Sequence, residues 1–465
     1  MDSEQFSTAA VPRRAPGDAG MGLFATSAIN IGSDVCNLPA TFSTVLDTER
    51  LQDTCSNCFS STQFTIADPD LDLKFCSGCH VVKYCHKGCQ AENWSAIHKY
   101  ECAIYKQLHP RVLPINSRAV LRIVKLRASK KEDARLDVGM FETLRSHMKE
   151  ISGSNKEQYE RIMLCAKAEK EYSKTDLDLE VIAEYFAKDS ASSLVGFDEG
   201  NIIIKAVKKI KANEQVFISY IDNTNPFETR QRELAERYFF TCKCSKCLRG
   251  DKAREDLFLT TSLTSVEMVV LKEAEKQALE LLASAKKAEP RASVKQLKAA
   301  MRILHDTKMW PITRQPYVQI RSELIASLID IESFWSALRH SAVRHLNIDP
   351  VVYPQKWHPL RNLHTYTLAK LVTMLRDKLA GKVPSNIKWR MDGVSIVYPL
   401  LATLNKHLEY ELPVVASLYE SDLEDMVAPV RAIGYDPSTE SAAKAMAPHW
   451  KTLEKIAKET LEMDG

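Results

Sequence analysis

Between residues 55 and 102 the chain sets out metal-ligating side chains in four pairs: Cys55-x2-Cys58, Cys76-x2-Cys79, Cys85-x3-Cys89 and His98-x3-Cys102. A C-x2-C turn aims two thiolates at one ion, and a distant second pair closes the tetrahedron. Seven thiols and one imidazole are the donors of two tetrahedral zinc sites. A segment this polar has little apolar core of its own. Metal is therefore expected to supply much of its folding free energy, on the order of 10 kcal/mol per site. All 12 cysteines lie between Cys36 and Cys247. The chain starts Met1-Asp2-Ser3-Glu4, without the basic start and apolar core of a secretory signal, so a reducing compartment, cytoplasmic or nuclear, is expected. There disulfides are disfavoured and metal sites lead. A second group, Cys242-x-Cys244-x2-Cys247, makes a candidate third site; Cys36 and Cys165 stand outside both groups.

The remaining composition narrows the partners. Lys+Arg number 63 against 60 Asp+Glu, a formal net charge of +3, so no global field favours nucleic acid. The cluster Lys205, Lys208, Lys209 and Lys211 reads as a solvated face. With 45% apolar and 26% charged residues the chain is an ordinary folded one. Its longest apolar stretches, such as Val394 to Leu404 around Pro399, are too short to span a bilayer. No membrane partner is expected.

Local patterns flank the ligand-rich segment. Gly20-Met21-Gly22 and the turn at Ile29-Asn30-Ile31-Gly32 bound a small β-hairpin unit. Asn201 to Val207 and Gln215 to Tyr220 read as strands, separated by turns at Phe197-Asp198-Glu199-Gly200 and at Lys211 to Glu214. Phe227 to Phe240 reads as a short helix. Beyond residue 250 the pattern is helical throughout. Thr264-x2-Glu267 is a capping box. Leu271, Ala274 and Ala278, then Leu297, Met301 and Leu304, then Leu324 and Leu328, then Leu368 and Leu371, then Leu400 and Leu404 recur at helical spacing. Pro290, Pro316, Pro350, Pro359, Pro384 and Pro413 separate these runs, which predict seven to nine helices in antiparallel pairs.

Tyr84-Cys85-x3-Cys89-Gln90 followed by Trp94-x3-His98-x3-Cys102 resembles the MYND zinc finger. The resemblance implies interleaved sites: Cys55, Cys58, Cys85 and Cys89 around one zinc, Cys76, Cys79, His98 and Cys102 around the other. His86 reads as a surface residue, not a ligand. Together with Gly20-Met21-Gly22-Leu23-Phe24-Ala25, Phe217-Ile218-Ser219-Tyr220-Ile221-Asp222 and Arg237-Tyr238-Phe239-Phe240-Thr241-Cys242-x-Cys244-x2-Cys247, the finger resembles the SET and MYND domain lysine methyltransferases over about residues 12–250.

That resemblance implies an α+β multidomain fold: a split β-rich SET domain with an inserted MYND finger, followed by an all-α, tetratricopeptide-like C-terminal domain. The implied boundaries are residues 1–50 and 176–241 for the two parts of SET, 51–104 for the finger, 105–175 for a helical insert, 242–250 for the post-SET cysteines and 251–465 for the helical domain. It implies S-adenosylmethionine as cofactor and lysine N-methylation of a histone or non-histone protein as activity. Tyr238 matches the catalytic tyrosine and Tyr220 the second tyrosine of the lysine channel. Gly20, Gly22, Ser192 and Phe240 match cofactor contacts, and Cys242, Cys244 and Cys247 match post-SET zinc ligands.

The chain also departs from the pattern. The family's N-H-S-C motif, which binds the cofactor and donates the fourth post-SET cysteine, is absent from the sequence. The stretch between Ala187 and Asn201 lacks several tens of residues, and Ser190 to Ser193 stands where the family has an Asn-bearing segment. Without its fourth cysteine the triad is not expected to make a complete third zinc site, and a weakened or lost cofactor affinity is the further expectation. The alternative function is a zinc-dependent interaction module, its finger holding a proline-rich or other short peptide.

Overall fold

The computed structural model describes residues 7–16, 20–39, 45–62, 71–129, 142, 144–189, 196–198, 201–260, 263–379 and 393–464. Ser192, with the whole of Ser190 to Ser193, and the breaker Pro384 lie outside the described residues. The fold is mostly helical α+β with small sheets near the N-terminus. It divides into two units, Met1–Tyr220 with Leu234–Phe240 and Ile221–Glu233 with Thr241–Gly465.

The first unit opens with strands β1 (Ser7–Thr8), β2 (Ala10–Arg14), β3 (Met21–Ala25) and β4 (Asp34–Pro39). β2 and β3 form the anticipated hairpin, Val11 opposite Phe24 and Arg13 opposite Gly22. Gly20 enters it at φ 77°, a left-handed conformation that favours glycine. A two-stranded ribbon, β5 (Lys74–Phe75) and β6 (Lys83–Tyr84), lies within the ligand-rich segment. Much later in the chain come β7 (Gly196–Asp198), β8 (Asn201–Lys205) and β9 (Gln215–Val216). β8 pairs antiparallel with β4, Leu38 opposite Ile202, and β9 pairs with β3, Leu23 opposite Val216. Residues 55–102 are thus inserted between strands that hydrogen-bond to each other. Ala10, Ala25, Ile29, Val35, Ala206 and Ile210 form the small core beneath these sheets.

Helices α1 (Lys87–Asn93), α2 (Lys99–Leu108), α3 (Ile115–Ala128), α4 (Met148–Ser154), α5 (Lys156–Ser173) and α6 (Leu179–Asp189) complete the unit. α3, α5 and α6 meet through Val120, Val124, Ile162, Ala166, Ile182 and Tyr185.

Three predicted elements end early. The strand expected to reach Val207 is β8, which stops at Lys205. The strand expected to run to Tyr220 stops at Val216. Phe217 is 69% exposed, so the apolar alternation past Val216 is not covered by a neighbour. The helix expected to reach Phe240 is α7 (Phe227–Tyr238). Phe239 takes φ 56°, which no continuing helix allows, and its ring stacks on His147 at 5.0 Å.

Among the described residues the C-terminal part holds nine helices: α8 (Ser265–Ala285), α9 (Pro290–Asp306), α10 (Tyr317–Asp330), α11 (Phe334–Val343), α12 (Asp349–Val352), α13 (Pro359–Leu379), α14 (Gly393–Asn405), α15 (Pro413–Ala432) and α16 (Glu440–Met463). Thr264 and Glu267 make the predicted capping box, each side chain bonded to the other's backbone N–H. The predicted stripes converge on one core containing Leu271, Leu297, Leu304, Leu324, Leu368 and Leu404. None of the described helices is long and apolar enough to cross a membrane.

Candidate metal centres and aromatic cluster

Folding gathers the eight ligand atoms into two groups, within each of which all atoms lie within 4.8 Å of one another. Cys55, Cys58, Cys85 and Cys89 form one; Cys76, Cys79, His98 and Cys102 form the other. A zinc–thiolate bond of about 2.3 Å gives a tetrahedron an S···S edge of about 3.8 Å, and a zinc–imidazole bond of about 2.05 Å gives an S···N edge of about 3.5 Å. The observed edges are 3.6 Å for Cys58–Cys85, 3.5 Å for Cys85–Cys89 and 3.9 Å for Cys76–Cys102. His98 Nε2 stands 3.6 Å from Cys79 Sγ and 3.3 Å from Cys76 Sγ. No pair is a disulfide. Donor type and spacing both fit zinc.

Local structure positions each donor. The β5–β6 ribbon carries the Cys76–Cys79 turn. Gly78 lies inside it, and a Cβ there would stand 2.8 Å from Cys102 Sγ, so the turn passes that sulfur only as glycine. α1 and α2 are joined by a π-type turn over Trp94–His98, a distortion frequent at functional sites. It leaves His98 and Cys102 four residues apart on one helical face. Tyr84 donates to Asn93 Oδ1 at 2.9 Å, and Asn93 Nδ2 donates to Ser56 O at 3.3 Å, tying the ribbon and α1 to the first turn.

The second group has a buried charged surround. Glu101, 1% exposed, places Oε2 3.7 Å from His98 Nδ1 while Arg122 Nε donates to its Oε1 at 2.8 Å. Burial opposes its ionisation, but the Arg122 guanidinium wins and holds the Glu101 carboxyl down at about 2. A carboxylate at Nδ1 selects the tautomer that leaves Nε2 free for a metal. Burial would keep His98 neutral; the Cys79 sulfur beside Nε2 and the Glu101 carboxylate beside Nδ1 outweigh it and raise the group to about 10. In the first group, the Cys55 hydrogen bond draws the Cys58 thiol down to about 4 while Cys55 rises, as for two sulfurs sharing a proton.

His86 is exposed, as read from the sequence, and also does local work. Its Nδ1 accepts from the Cys89 N–H at 3.2 Å, capping α1, and its Nε2 lies 3.5 Å from Cys89 Sγ.

Cys242, Cys244 and Cys247 form the third group, again within 4.8 Å. Gln231 clamps the first of them from both sides: its Oε1 accepts from Cys242 N–H at 3.0 Å and its Nε2 donates to Cys242 O at 2.8 Å. The Cys247 N–H points at Cys244 Sγ at 3.5 Å. Cys36, buried in β4, and Cys165, on α5, stay outside all three groups.

The tyrosines singled out in the sequence meet. Tyr220 and Tyr238 rings are 4.9 Å apart, and Tyr220 and Phe240 rings 6.0 Å. Tyr238 is buried and its hydroxyl donates to Tyr220 O at 3.1 Å. The left-handed turn at Phe239 sends Phe240 back toward Tyr220. A cluster of aromatic faces suits a sulfonium cation. Gly22 lies on the β2–β3 hairpin, where a Cβ would meet Gln215 Nε2 at 2.5 Å.

Gly78, Arg122, Glu101, Gln231 and the capping role of His86 were not read from the sequence. Glu101, three residues past His98 on a helix, carried a signal. Arg122 and Gln231 reach their partners only through tertiary folding.

Two interlocked Cys/His tetrads on a ribbon and a helix pair define a MYND-type zinc-finger protein, and the family model for the MYND finger matches residues 55–102. Beyond the finger, the chain is 24% identical over 394 residues to histone-lysine N-methyltransferase ASHR1 of Arabidopsis thaliana, covering 70% of this chain and 78% of that one. It is 26% identical over 285 residues to SET domain and MYND-type zinc finger protein 6 of Schizosaccharomyces pombe, covering 55% and 54%. It is 24% identical over 267 residues to human N-lysine methyltransferase SMYD2, covering 50% and 59%. The chain thus spans little more than half the length of the yeast and human relatives. Over this length it is similar to the SET and MYND domain family of protein-lysine methyltransferases.

Proposed function

We propose that this chain is an S-adenosylmethionine-dependent protein-lysine N-methyltransferase, acting on a histone or another protein. The observation that carries the proposal is the convergence of Tyr220, Tyr238 and Phe240 at the end of α7, in a chain whose relatives are named lysine methyltransferases. The two sheets flanking the insertion are read as a split SET domain over residues 1–50 and 176–241. The finger then occupies 51–104, a helical insert 105–175, the post-SET cysteines 242–250, and a tetratricopeptide-like domain 251–465.

The finger would hold one zinc through Cys55, Cys58, Cys85 and Cys89 and one through Cys76, Cys79, His98 and Cys102. Zinc there fixes the fold and takes no part in chemistry. S-adenosylmethionine, when bound, supplies an electrophilic methyl on a sulfonium. Phe240 would offer an aromatic face to that cation, and Tyr220 would line the lysine channel as its second tyrosine. The Tyr238 hydroxyl accepts from and orients the lysine amine, so that positioning lowers the barrier. Gly20 and Gly22 keep side chains away from the loop assigned to the cofactor, and Ser192 is assigned a further contact.

A radiolabelled methyl-transfer assay on histones and cell protein tests this. Wild type is expected to transfer label, and Tyr238→Phe to lose on the order of 10²-fold or more of the rate. Equal signal in the two removes Tyr238 from its role.

The absence of N-H-S-C favours a second reading, an inert SET remnant whose MYND finger binds short peptides, proline-rich ones among them. Calorimetric titration with S-adenosylmethionine separates the two. Micromolar binding supports the enzyme; no heat of binding leaves the peptide module.

A further inference from the structure

We propose that Cys58 and Cys85 are a peroxide-reactive pair. Hydrogen peroxide entering the cleft beside the first tetrad joins them in a disulfide and releases that tetrad's zinc, while the second tetrad keeps its own. The proposal rests on the zinc reading of the finger and adds a modification site to it. The two tetrads differ in access. Cys76, Cys79, His98 and Cys102 are all buried, whereas the first tetrad has Cys55 and Cys89 buried but Cys58 and Cys85 only half-buried. It also borders a cleft of about 410 Å3 with Cys58, Ser60, Cys85 and His86 in its walls. Oxidation of a cysteine follows its thiolate character and its exposure.

Local contacts assign the roles. Hydrogen bonds that stabilise a thiolate blunt it as a nucleophile. Cys58 Sγ has the Ser60 hydroxyl at 3.2 Å, and Cys89 Sγ has His86 Nε2 at 3.5 Å. Among the described residues Cys85 Sγ has only other thiols at such distances, so Cys85 attacks first. Cys58 and Cys89 stand equally near it, at 3.6 and 3.5 Å. A disulfide of about 2.05 Å needs a shift of about 1.5 Å. Cys58 sits on a turn, whereas Cys89 is fixed in α1 with its N–H on His86 Nδ1, so Cys58 closes the bond. The Cys85 thiolate takes one oxygen of hydrogen peroxide, the O–O bond breaks, and a sulfenic acid and hydroxide form. The Cys58 thiolate then attacks the Cys85 sulfur, the S–O bond breaks, and a second hydroxide leaves. Both hydroxides take protons from solvent; two sulfurs have lost two electrons and peroxide has gained them. Cys55 and Cys89 alone are too few donors to hold the ion. The new bond ties the chain across the same 27 residues that the ion tied, so the segment carrying Cys76 and Cys79 stays closed.

The full-length wild-type chain, loaded with zinc and counted beforehand, tests this without any variant having to fold. A few equivalents of hydrogen peroxide are added. Differential alkylation and peptide mapping then read every cysteine, Cys242, Cys244 and Cys247 in their own peptides, and native mass spectrometry reads the metal retained. A Cys58–Cys85 disulfide is expected in step with the loss of one zinc, forming roughly 10-fold or more faster than thiolate is lost at Cys76, Cys79 and Cys102. Dithiothreitol with added zinc is expected to reverse both changes. Equal rates in the two tetrads, a Cys85–Cys89 bond in place of Cys58–Cys85, or joint loss of both finger ions overturns the proposal and leaves the zinc reading standing. Fewer than two ions before peroxide is added overturns the zinc reading and this proposal with it.

Discussion

Gly78 carries the sharpest consequence of any single residue in the finger. A Cβ at that position would sit 2.8 Å from Cys102 Sγ, and a sulfur held by a metal cannot retreat. Gly78→Ala is expected to weaken zinc at the Cys76–Cys102 tetrad by roughly 10- to 100-fold, the scale seen when a ligand's support is disturbed. Competition with a chelator reads this directly, and an unchanged release curve counts against it. At this scale the sequence is informative where chemistry demands a residue type and nearly mute where it demands a neighbour. Thiol pairs announce themselves by spacing. Arg122 lies 21 residues from the Glu101 it neutralises, and nothing local marks it. Tyr220 and Tyr238 belong to separate motifs, and their contact at 4.9 Å is made by the tertiary fold, while the second contact of Tyr220, with Phe240, follows the bend at Phe239, φ 56°.

At the scale of elements, the helical unit has an acid weakness. His345, just past α11, accepts or donates with Thr365 Oγ1 at 3.2 Å and meets the Trp450 ring edge-on at 5.9 Å. Burial, aided by Arg361 and His364 and only partly offset by Asp349, lowers it from 6.5 to about 4. Above pH 6.5 the ring is neutral folded or unfolded and contributes nothing. Between pH 6.5 and about 4 only the unfolded chain takes the proton, so stability falls as pH falls through that window. The full effect is roughly 3 kcal/mol. His345→Asn is expected to flatten the dependence of the urea midpoint on pH over that range; equal slopes in both proteins count against the assignment. Helices such as α8 were legible because one stripe must be buried for many turns, and the capping box marked its start. The strand through Gln215 was legible only in part. Alternation shows a chain able to pair, while the reach of a partner edge is set by β3 from far away in sequence.

For the whole molecule, metal dependence is expected to divide along the two units. The first contains both tetrads, with a core built around their own cysteines together with Leu51, Val81, Tyr84 and Tyr105. The second rests on an apolar core that includes Leu271, Leu324, Leu368 and Leu404. Exhaustive chelation is expected to expose residues 55–102 to protease while most of the helical circular dichroism, and a separate thermal transition, survive. Loss of all cooperative melting on chelation would contradict this. The crossed order of the ligand pairs carries one more consequence. Cys76 and Cys79 lie inside the loop that joins Cys58 to Cys85, and Cys85 and Cys89 lie inside the loop that joins Cys79 to His98. Whichever ion arrives first therefore shortens the search left to the other. Titrated with limiting zinc, the population should split into empty fingers and doubly filled ones, and native mass spectra should show scarcely any singly charged-up intermediate between the two.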